Sequence, residues 1–473
     1  MSILDERVTA STDVTIRVQA PVPISGASTP ALEAARLCAV LSLSELFRTR
    51  CEALGGRKYY AHFEAWLWTA RNESDADVVP PIPVRASPAA RTELSRKLTT
   101  AGLTAANATA ACDALDARCA EIVAEIRRAE ASPTRPASVR MLPASDGDGA
   151  SSAVLPSKAA RKKMRKRKRE GGEFGSAEGG GGVGNSGDNV RRVRLVLGEA
   201  EVLVSEAHLT KLRTLYAMSA RGVESARGVE STDDGAKKAK KANGAAAMGE
   251  GAESESAFLD AAFCVLARLS TLQGGHEAAG GMQGACPPAV FDMLRIDFGV
   301  SMECFASPLN CRFPKFCSAG RDVDAPFGSR GSFFAFKPLA GAFVANPPFD
   351  PPLVGAMTAH MITLLKRADE NETVLTFVVV IPMWPEQPSW QTLRDAAHTR
   401  AHVRLPSSKH AYIDGGQHIG RREKPMRLSN HDSSVFILMS TRAAALAPMT
   451  HDKERRLREA FTGGMKVNGA LHK

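Results

Sequence analysis

The chain has 473 residues, 44% of them hydrophobic, and a net charge of +10 from 61 basic against 51 acidic side chains. That length suits two or three domains with at least one large core, and the composition excludes a wholly disordered protein. No apolar run reaches the roughly 18 residues of a membrane span, and the opening MSILDERVTASTD lacks the apolar stretch of a signal peptide, so an intracellular protein without a membrane partner is expected.

In chain order, residues 1–30 are polar and read as a disordered N-terminus. LEAARLCAVLSLSELF, AHFEAWLWTAR (61–71) and the periodic stretch 91–131 read as helices, the last two separated by the joint VVPPIPVRASP, so 31–135 is a helical domain. Residues 136–189 hold RKKMRKRKRE (161–170) and a Gly/Ser run, and read as a linker. A hairpin and helix are expected in a small ordered segment, 190–218. A low-complexity insertion, 219–256, follows, with the tandem ARGVES-ARGVES and KKAKK. From 257 to 473 helices alternate with strands: helix 287–299, strands GVSMECFAS, GAFVA, TVLTFVVVIPMW, AHVRLP and SSVFILMST, and helices 353–368 and SWQTLRDAAHTR. Such alternation predicts an α/β fold with a doubly wound sheet and sites at the carboxyl ends of its strands.

Two strand ends carry chemistry. In ANPPF (345–349) two prolines stop a strand, because neither has an N–H for a ladder. The side-chain carbonyl of Asn346 and the backbone carbonyl of Pro347 can both accept from one planar –NH₂ group. Pro347 and Pro348 pre-organise these acceptors, and Phe349 can stack on the ring carrying the amine. The bland alternative is a strand-ending turn. ASPLN, after an earlier strand, is the second such end. The nine cysteines form no C-x-x-C pair, so buried thiols are expected rather than a metal site or disulfide framework.

ECFASPLNC (303–311), DAPFGSRG (324–331) and PLAGAFVANPPF together resemble the phosphorylated-CTD-interacting-factor family of cap-specific adenosine N6-methyltransferases. FVVVIPMW (377–384), HAYIDGGQHI (410–419) and SVFIL carry the resemblance onward, and PPAVFDML and FEAWL extend it upstream. It covers the C-terminal half well and the helical region poorly. It implies a Rossmann-like S-adenosylmethionine-dependent methyltransferase sheet with an N-terminal helical substrate-binding domain. The implied reaction is methyl transfer to N6 of the (2′-O-methyl)adenosine beside the 7-methylguanosine cap, with capped mRNA as partner. Catalysis then falls to Asn346, Pro347, Pro348 and Phe349. S-adenosylmethionine falls to Glu303, Phe305, Ala306, Ser307, Pro308, Asn310 and Asn346, bordered by the FGSRG turn, with Asp324 or Asp322 on the ribose. Cap and adenosine contacts fall to Trp384, Pro385, Glu386, Gln387 and Pro388, where a tryptophan on a cationic base is sound physics. Asp350 stands where relatives carry Cys-Glu. Arg91 loosely fits a cap-holding arginine, whereas Ala65 replaces the other.

GGQHIGRREKPMR (415–427) places His418 in a basic run suited to phosphates or to a solvated loop. The run at 161–169 points to the nucleus, with the cytoplasm also open. The four tryptophans lie in two close pairs, 66/68 and 384/390. No WW domain and no WW-mediated binding to the polymerase tail are therefore expected. Two alternatives stay open: an adenine or amide N-methyltransferase on another nucleic acid or protein, and a non-catalytic RNA-binding homologue.

Overall fold

A computed structural model describes residues 28–52, 62–67, 88–131, 138–144, 190–228, 246–275, 283–419 and 426–466. The polar N-terminus up to residue 27, Trp68, Arg71 and the basic runs at 161–170 and 237–241 lie outside them.

Helix α1 (Pro30–Arg50) opens with Thr29 accepting from Leu32 N–H and a proline in the first turn, a position that needs no N–H. It packs with a short helix at 62–67, α2 (Pro88–Thr100) and α3 (Ala105–Ala131) around Val40, Phe47, Phe63, Leu67, Leu94 and Leu115. These helices share one core, which takes the apolar stripe of each.

A three-stranded antiparallel sheet follows, in the order β1 (Arg140–Pro143), β2 (Arg192–Leu197), β3 (Ala200–Ser205). The β2–β3 hairpin turns on Gly198 at φ 59°, a left-handed conformation open to glycine. Strand β1 lies inside the stretch expected to be linker. Its four residues are all exposed, so it has no burial pattern to reveal it. Helix α4 (Glu206–Gly228) continues into the ARGVES repeat, and α5 (Ala246–Leu272) begins inside the stretch expected to be a low-complexity insertion, 219–256. The hairpin, α4, α5 and Leu37 of α1 share one core with Leu309, Cys311, Phe316 and Phe327. Arg268 of α5 is buried and bonded to Glu33 of α1 at 2.7 Å and to Asp322 at 2.7 Å.

The remaining elements are α6 (Pro288–Phe298), β4 (Met302–Glu303), α7 (Arg321–Asp324), β5 (Gly341–Ala345), α8 (Pro351–Glu370), β6 (Leu375–Pro382), α9 (Pro388–Asp395), β7 (Thr399–Leu405), β8 (Ala411–Ile413), β9 (Met426–Leu428), β10 (Ser433–Met439), α10 (Thr441–Leu446) and α11 (His451–Lys466). Strands β4, β5 and β6 run parallel, and β10 enters antiparallel between β6 and β7, giving the order β4-β5-β6-β10-β7. Single parallel bridges from Phe316 to Glu303 and to Ser329 extend the sheet beyond β4. The sheet is thus α/β and mixed. Val378, Val380, Val435 and Ile437 face α6 and α11, while Phe377, Val379, Ile381 and Leu438 face α8 and α9. That alternation is the pleat of fully buried strands. Strand β4 is shorter than the expected GVSMECFAS, because the chain leaves the sheet at Cys304 to form the ASPLN turn.

All nine cysteines are free thiols and eight are buried. Among the described residues no helix is long and apolar enough to cross a membrane.

Candidate active site

Strands β4 and β5 run in the same direction, so their ends deliver ASPLN and NPPF to one side of the sheet. A pocket there is lined by Gly284, Ala285, Phe291, Glu303, Phe305, Asn310, Val344 and Asn346. Asn346 donates through Nδ2 to the carbonyl of Gly284 at 3.1 Å. Its Oδ1 is buried without a hydrogen-bond partner. Since the amide nitrogen is committed, the orphaned oxygen is presented as an acceptor. Pro347 is buried, and Pro348 accepts from Asp350 N–H at 2.8 Å, which closes the turn.

Phe349 is half-buried and meets three rings edge-on: Trp384 at 6.4 Å, Tyr412 at 6.1 Å and His431 at 5.5 Å. Asp350 caps α8 by accepting from Leu353 N–H at 3.1 Å. This use of its carboxylate accounts for the residue without a substrate.

Glu303 is buried at the end of β4, and one of its oxygens accepts from Arg312 N–H at 2.6 Å and Phe313 N–H at 3.1 Å. Burial pushes its carboxyl up to about 7, although those two N–H groups and the nearby Lys211 favour the ionised form. In the following loop Ala306 donates its N–H to Cys317 O at 3.0 Å. Asn310 Oδ1 accepts from Ser307 N–H at 2.7 Å and faces its hydroxyl at 3.1 Å. Asn310 Nδ2 donates to Gln283 O at 3.3 Å. With Pro308 fixing one backbone angle, Ser307–Asn310 is a self-closed turn rather than a glycine-rich one. Phe305 stacks at a tilt on Phe333 at 5.2 Å, forming the pocket's aromatic wall.

Other expected residues lie elsewhere. Asp324 does not line the pocket. It is buried near Arg268, Asp322 and Glu33 and hydrogen-bonded to Ser318, and burial pushes its carboxyl up to about 7. Asp322 is committed to Arg268. Phe327, at the head of the FGSRG turn, packs on Tyr216 of α4 at 5.8 Å rather than bordering the pocket. Arg91 is held by Asp113 and, at 2.5 Å, by Asp116 of α3, so it ties two helices together. His418 is buried beneath the β3–α4 junction beside His208. Beyond it, residues 420–425 lie outside the described set. After β6, Trp384 is half-buried, while Pro385 and Glu386 are exposed. Pro385 O accepts from Gln391 at 2.8 Å, and Gln387 and Pro388 open α9.

Residues 245–415 match the family model described as "Phosphorylated CTD interacting factor 1 WW domain". A human protein named mRNA (2'-O-methyladenosine-N(6)-)-methyltransferase is 39% identical over 207 residues, 43% of this chain and 29% of that protein. Its mouse namesake is 38% identical over 216 residues, 45% of this chain and 30% of that protein. The chain thus covers under a third of the length of these curated relatives.

The match corrects one expectation. Tryptophan spacing had argued against a WW domain, yet the matching model carries that domain in its description. The spacing argument sought a short two-tryptophan module, whereas the matched span takes in α5 to α9 and strands β4 to β8. The expectation that polymerase-tail binding is absent loses its basis with it.

The sequence reading missed several members of the site. Gly284 and Ala285 contribute backbone, which leaves no side-chain signal, and Phe291 reads as an ordinary core position. Tyr412 stood inside the quoted HAYIDGG string, but its partnership with Phe349 depends on the β8–β9 ribbon.

Proposed function

We propose that this protein is an S-adenosylmethionine-dependent methyltransferase with a Rossmann-like sheet. In this reading it transfers methyl to N6 of the (2′-O-methyl)adenosine beside the 7-methylguanosine cap of mRNA. The observation that carries the proposal is the orphaned Asn346 Oδ1 at the end of β5, with its Nδ2 tethered to Gly284 O. The human and mouse relatives named for this reaction support it over the shared segment.

The pocket suits the cofactor. It combines one carboxylate, one unpartnered acceptor, a backbone turn and two phenylalanine rings, a set matched to a ligand that joins a cationic amino-acid end to a nucleoside. Glu303, Phe305 and the Gly284–Ala285 backbone would hold it. When bound, it supplies the electrophilic methyl group.

The chain's own residues then act on the acceptor. Asn346 Oδ1 takes one hydrogen of the target –NH₂, and the Pro347 carbonyl, which accepts no hydrogen bond among the described residues, takes the other. Both hydrogens are drawn aside, so the nitrogen lone pair faces the pocket. This is positioning plus electrostatics, worth several kcal/mol at most per acceptor, about 3. Phe349 stacks on the base, and Trp384, Tyr412 and His431 hold Phe349 edge-on. No strong base is required, because the nitrogen loses its proton to solvent after methylation.

The test offers purified protein labelled cofactor and adenosine-start RNA, capped or uncapped. Labelling of the capped RNA alone, lost in Asn346→Ala and Phe349→Ala, is the expected result. Equal labelling of both RNAs would remove cap specificity. Labelling of neither, with cofactor still bound, would favour a non-catalytic binder. Nuclear import is the part of the proposal resting on residues 161–169 alone, and a reporter fused to that run tests it by its location.

A further inference from the structure

The buried amine of Lys211 has no part in the reaction proposed above. It sits on α4, on the hairpin-and-helix segment that precedes the sheet domain in sequence. Its side chain is 4% exposed, and Nζ donates to Leu309 O at 3.0 Å and to Cys311 O at 2.7 Å.

Those carbonyls occupy a particular place. Cys311 N–H donates to Ser307 O at 2.9 Å, so Ser307–Cys311 is one helical turn. Carbonyls at the end of such a turn have no partner within it. Burying them without a donor costs as much as a lost hydrogen bond. Lys211 supplies that donor, and an ammonium group is the charge preferred at a helical C-terminal end. The side chains of Leu309 and Cys311 pack into the same core as Leu212 and Leu215 of α4, one and four residues along from Lys211.

The opposite side of the loop is held by Glu303, whose carboxylate accepts from the N–H groups of Arg312 and Phe313. An acid from the sheet and an amine from α4 thus grip four of the five residues 309–313, and the fifth, Asn310, holds the turn closed by its own side chain. The charged and titratable groups facing Lys211 are Cys311, Glu303 and Arg312 and, on its own helix, His208.

We infer that Lys211 is a positioning residue for the cofactor pocket, setting the Phe305–Asn310 loop through the carbonyls of Leu309 and Cys311. The segment 190–228 is then part of the active-site architecture and not a separate module. The inference rests on the reading of that pocket as a cofactor site, but its geometry is independent of the RNA.

Lys211→Met keeps the stem's apolar volume and removes the donor, and Lys211→Arg keeps charge and donors. Three measurements on the full-length chain separate the outcomes: hydrogen exchange of the 304–313 amides, affinity for S-adenosylhomocysteine by calorimetry, and steady-state kinetics. In Lys211→Met the loop amides should exchange faster while β6 and β10 stay protected. Cofactor Kd and KM should rise about tenfold, the scale of one charge-assisted anchor, with the KM for RNA unchanged and Lys211→Arg recovering part of the loss. Unchanged loop exchange or unchanged cofactor affinity in a folded Lys211→Met protein would overturn the inference. An equal loss of cofactor and RNA affinity would do so too, since it marks general damage. If Lys211→Met does not fold, Lys211→Gln, which retains one donor group, takes its place under the same criteria. A native protein that binds no S-adenosylhomocysteine would refute the proposed function, while loop exchange would still decide the role of Lys211.

Discussion

At the scale of single residues, the pocket is governed by two side chains with opposite needs. Asn346 has an acceptor without a partner, and Asn346→Asp replaces the Nδ2 donor with a second oxygen facing Gly284 O. That variant should lose transfer at least as severely as Asn346→Ala, because it both frees the tether and adds repulsion. Transfer rates at saturating cofactor compare them. Glu303 holds its proton up to about pH 7, against an ordinary value of 4.5, because it is buried. The folded protein therefore binds that proton more tightly than the unfolded chain. Its stabilisation is complete below pH 4.5 and is lost as pH rises through about 7. Asp324, also pushed up to about 7, acts in the same direction. Melting temperature should thus fall between pH 5 and 8, and Glu303→Gln should flatten part of that fall. A Glu303→Gln profile parallel to the native one would show that the carboxyl titrates normally. Asn346 was legible as a strand-end polar group, whereas Glu303 came only from the family resemblance. The failure of Asp324 has a physical cause: proximity to FGSRG in sequence says nothing of whether a side chain turns toward the pocket or toward Arg268.

At the scale of elements, the proline pair joins two structures with no slack. Strand β5 ends at Ala345, and α8 begins at Pro351 with Asp350 as its cap. Asp350→Ala should cost about 1 kcal/mol, the usual worth of an N-cap, and Asp350→Asn should cost less. Denaturant titration measures both. The 325–327 turn is stricter. Gly328 has φ 101°, and a Cβ there would lie 2.3 Å from the carbonyl of Pro314. Gly328→Ala should therefore destabilise by roughly 2–3 kcal/mol, with the turn under Tyr216 the first region to lose exchange protection. Long periodic elements such as α8 and the apolar run of β6 were readable because pattern and burial agree in them. Strand β1 was not, since four exposed residues beside a low-complexity stretch acquire meaning only when β2 offers an edge.

Across the whole molecule, α1 belongs to two cores at once, with Val40 and Phe47 in the helical unit and Leu37 against α5. Glu33 and Arg268 lock that junction, with Asp322 as the second acid. Arg268→Met leaves Asp322 without its guanidinium and Glu33 with Arg36 alone, and should cost about 3 kcal/mol, the lower end for a broken buried pair. Glu33→Gln should cost less, since Asp322 still balances the guanidinium. Equal losses in the two variants would show that Asp322 contributes nothing. Sequence reading found the helical unit and the α/β unit but treated the segment between them as an island. The contacts that bind it to both, Lys211 to Leu309 and Leu37 to the hairpin core, join residues too distant in sequence for any periodicity to connect.

Strand β10 has one more consequence, for the order in which the molecule assembles. It lies between β6 and β7, yet both of its neighbours precede it in the chain. While the protein is being made, β6 and β7 must wait with facing edges open, since among the described residues no other strand pairs across that gap. All seven residues of β10 end up buried, and Ser433 and Ser434 meet His410, Tyr412, Trp390 and His402 only after insertion. Closing a slot with a late, non-local strand is slow, and it exposes apolar edges in the interval. The same insertion seals the sheet whose other strands present Asn346 and Glu303, so a half-made chain holds the parts of its pocket before it can hold them still.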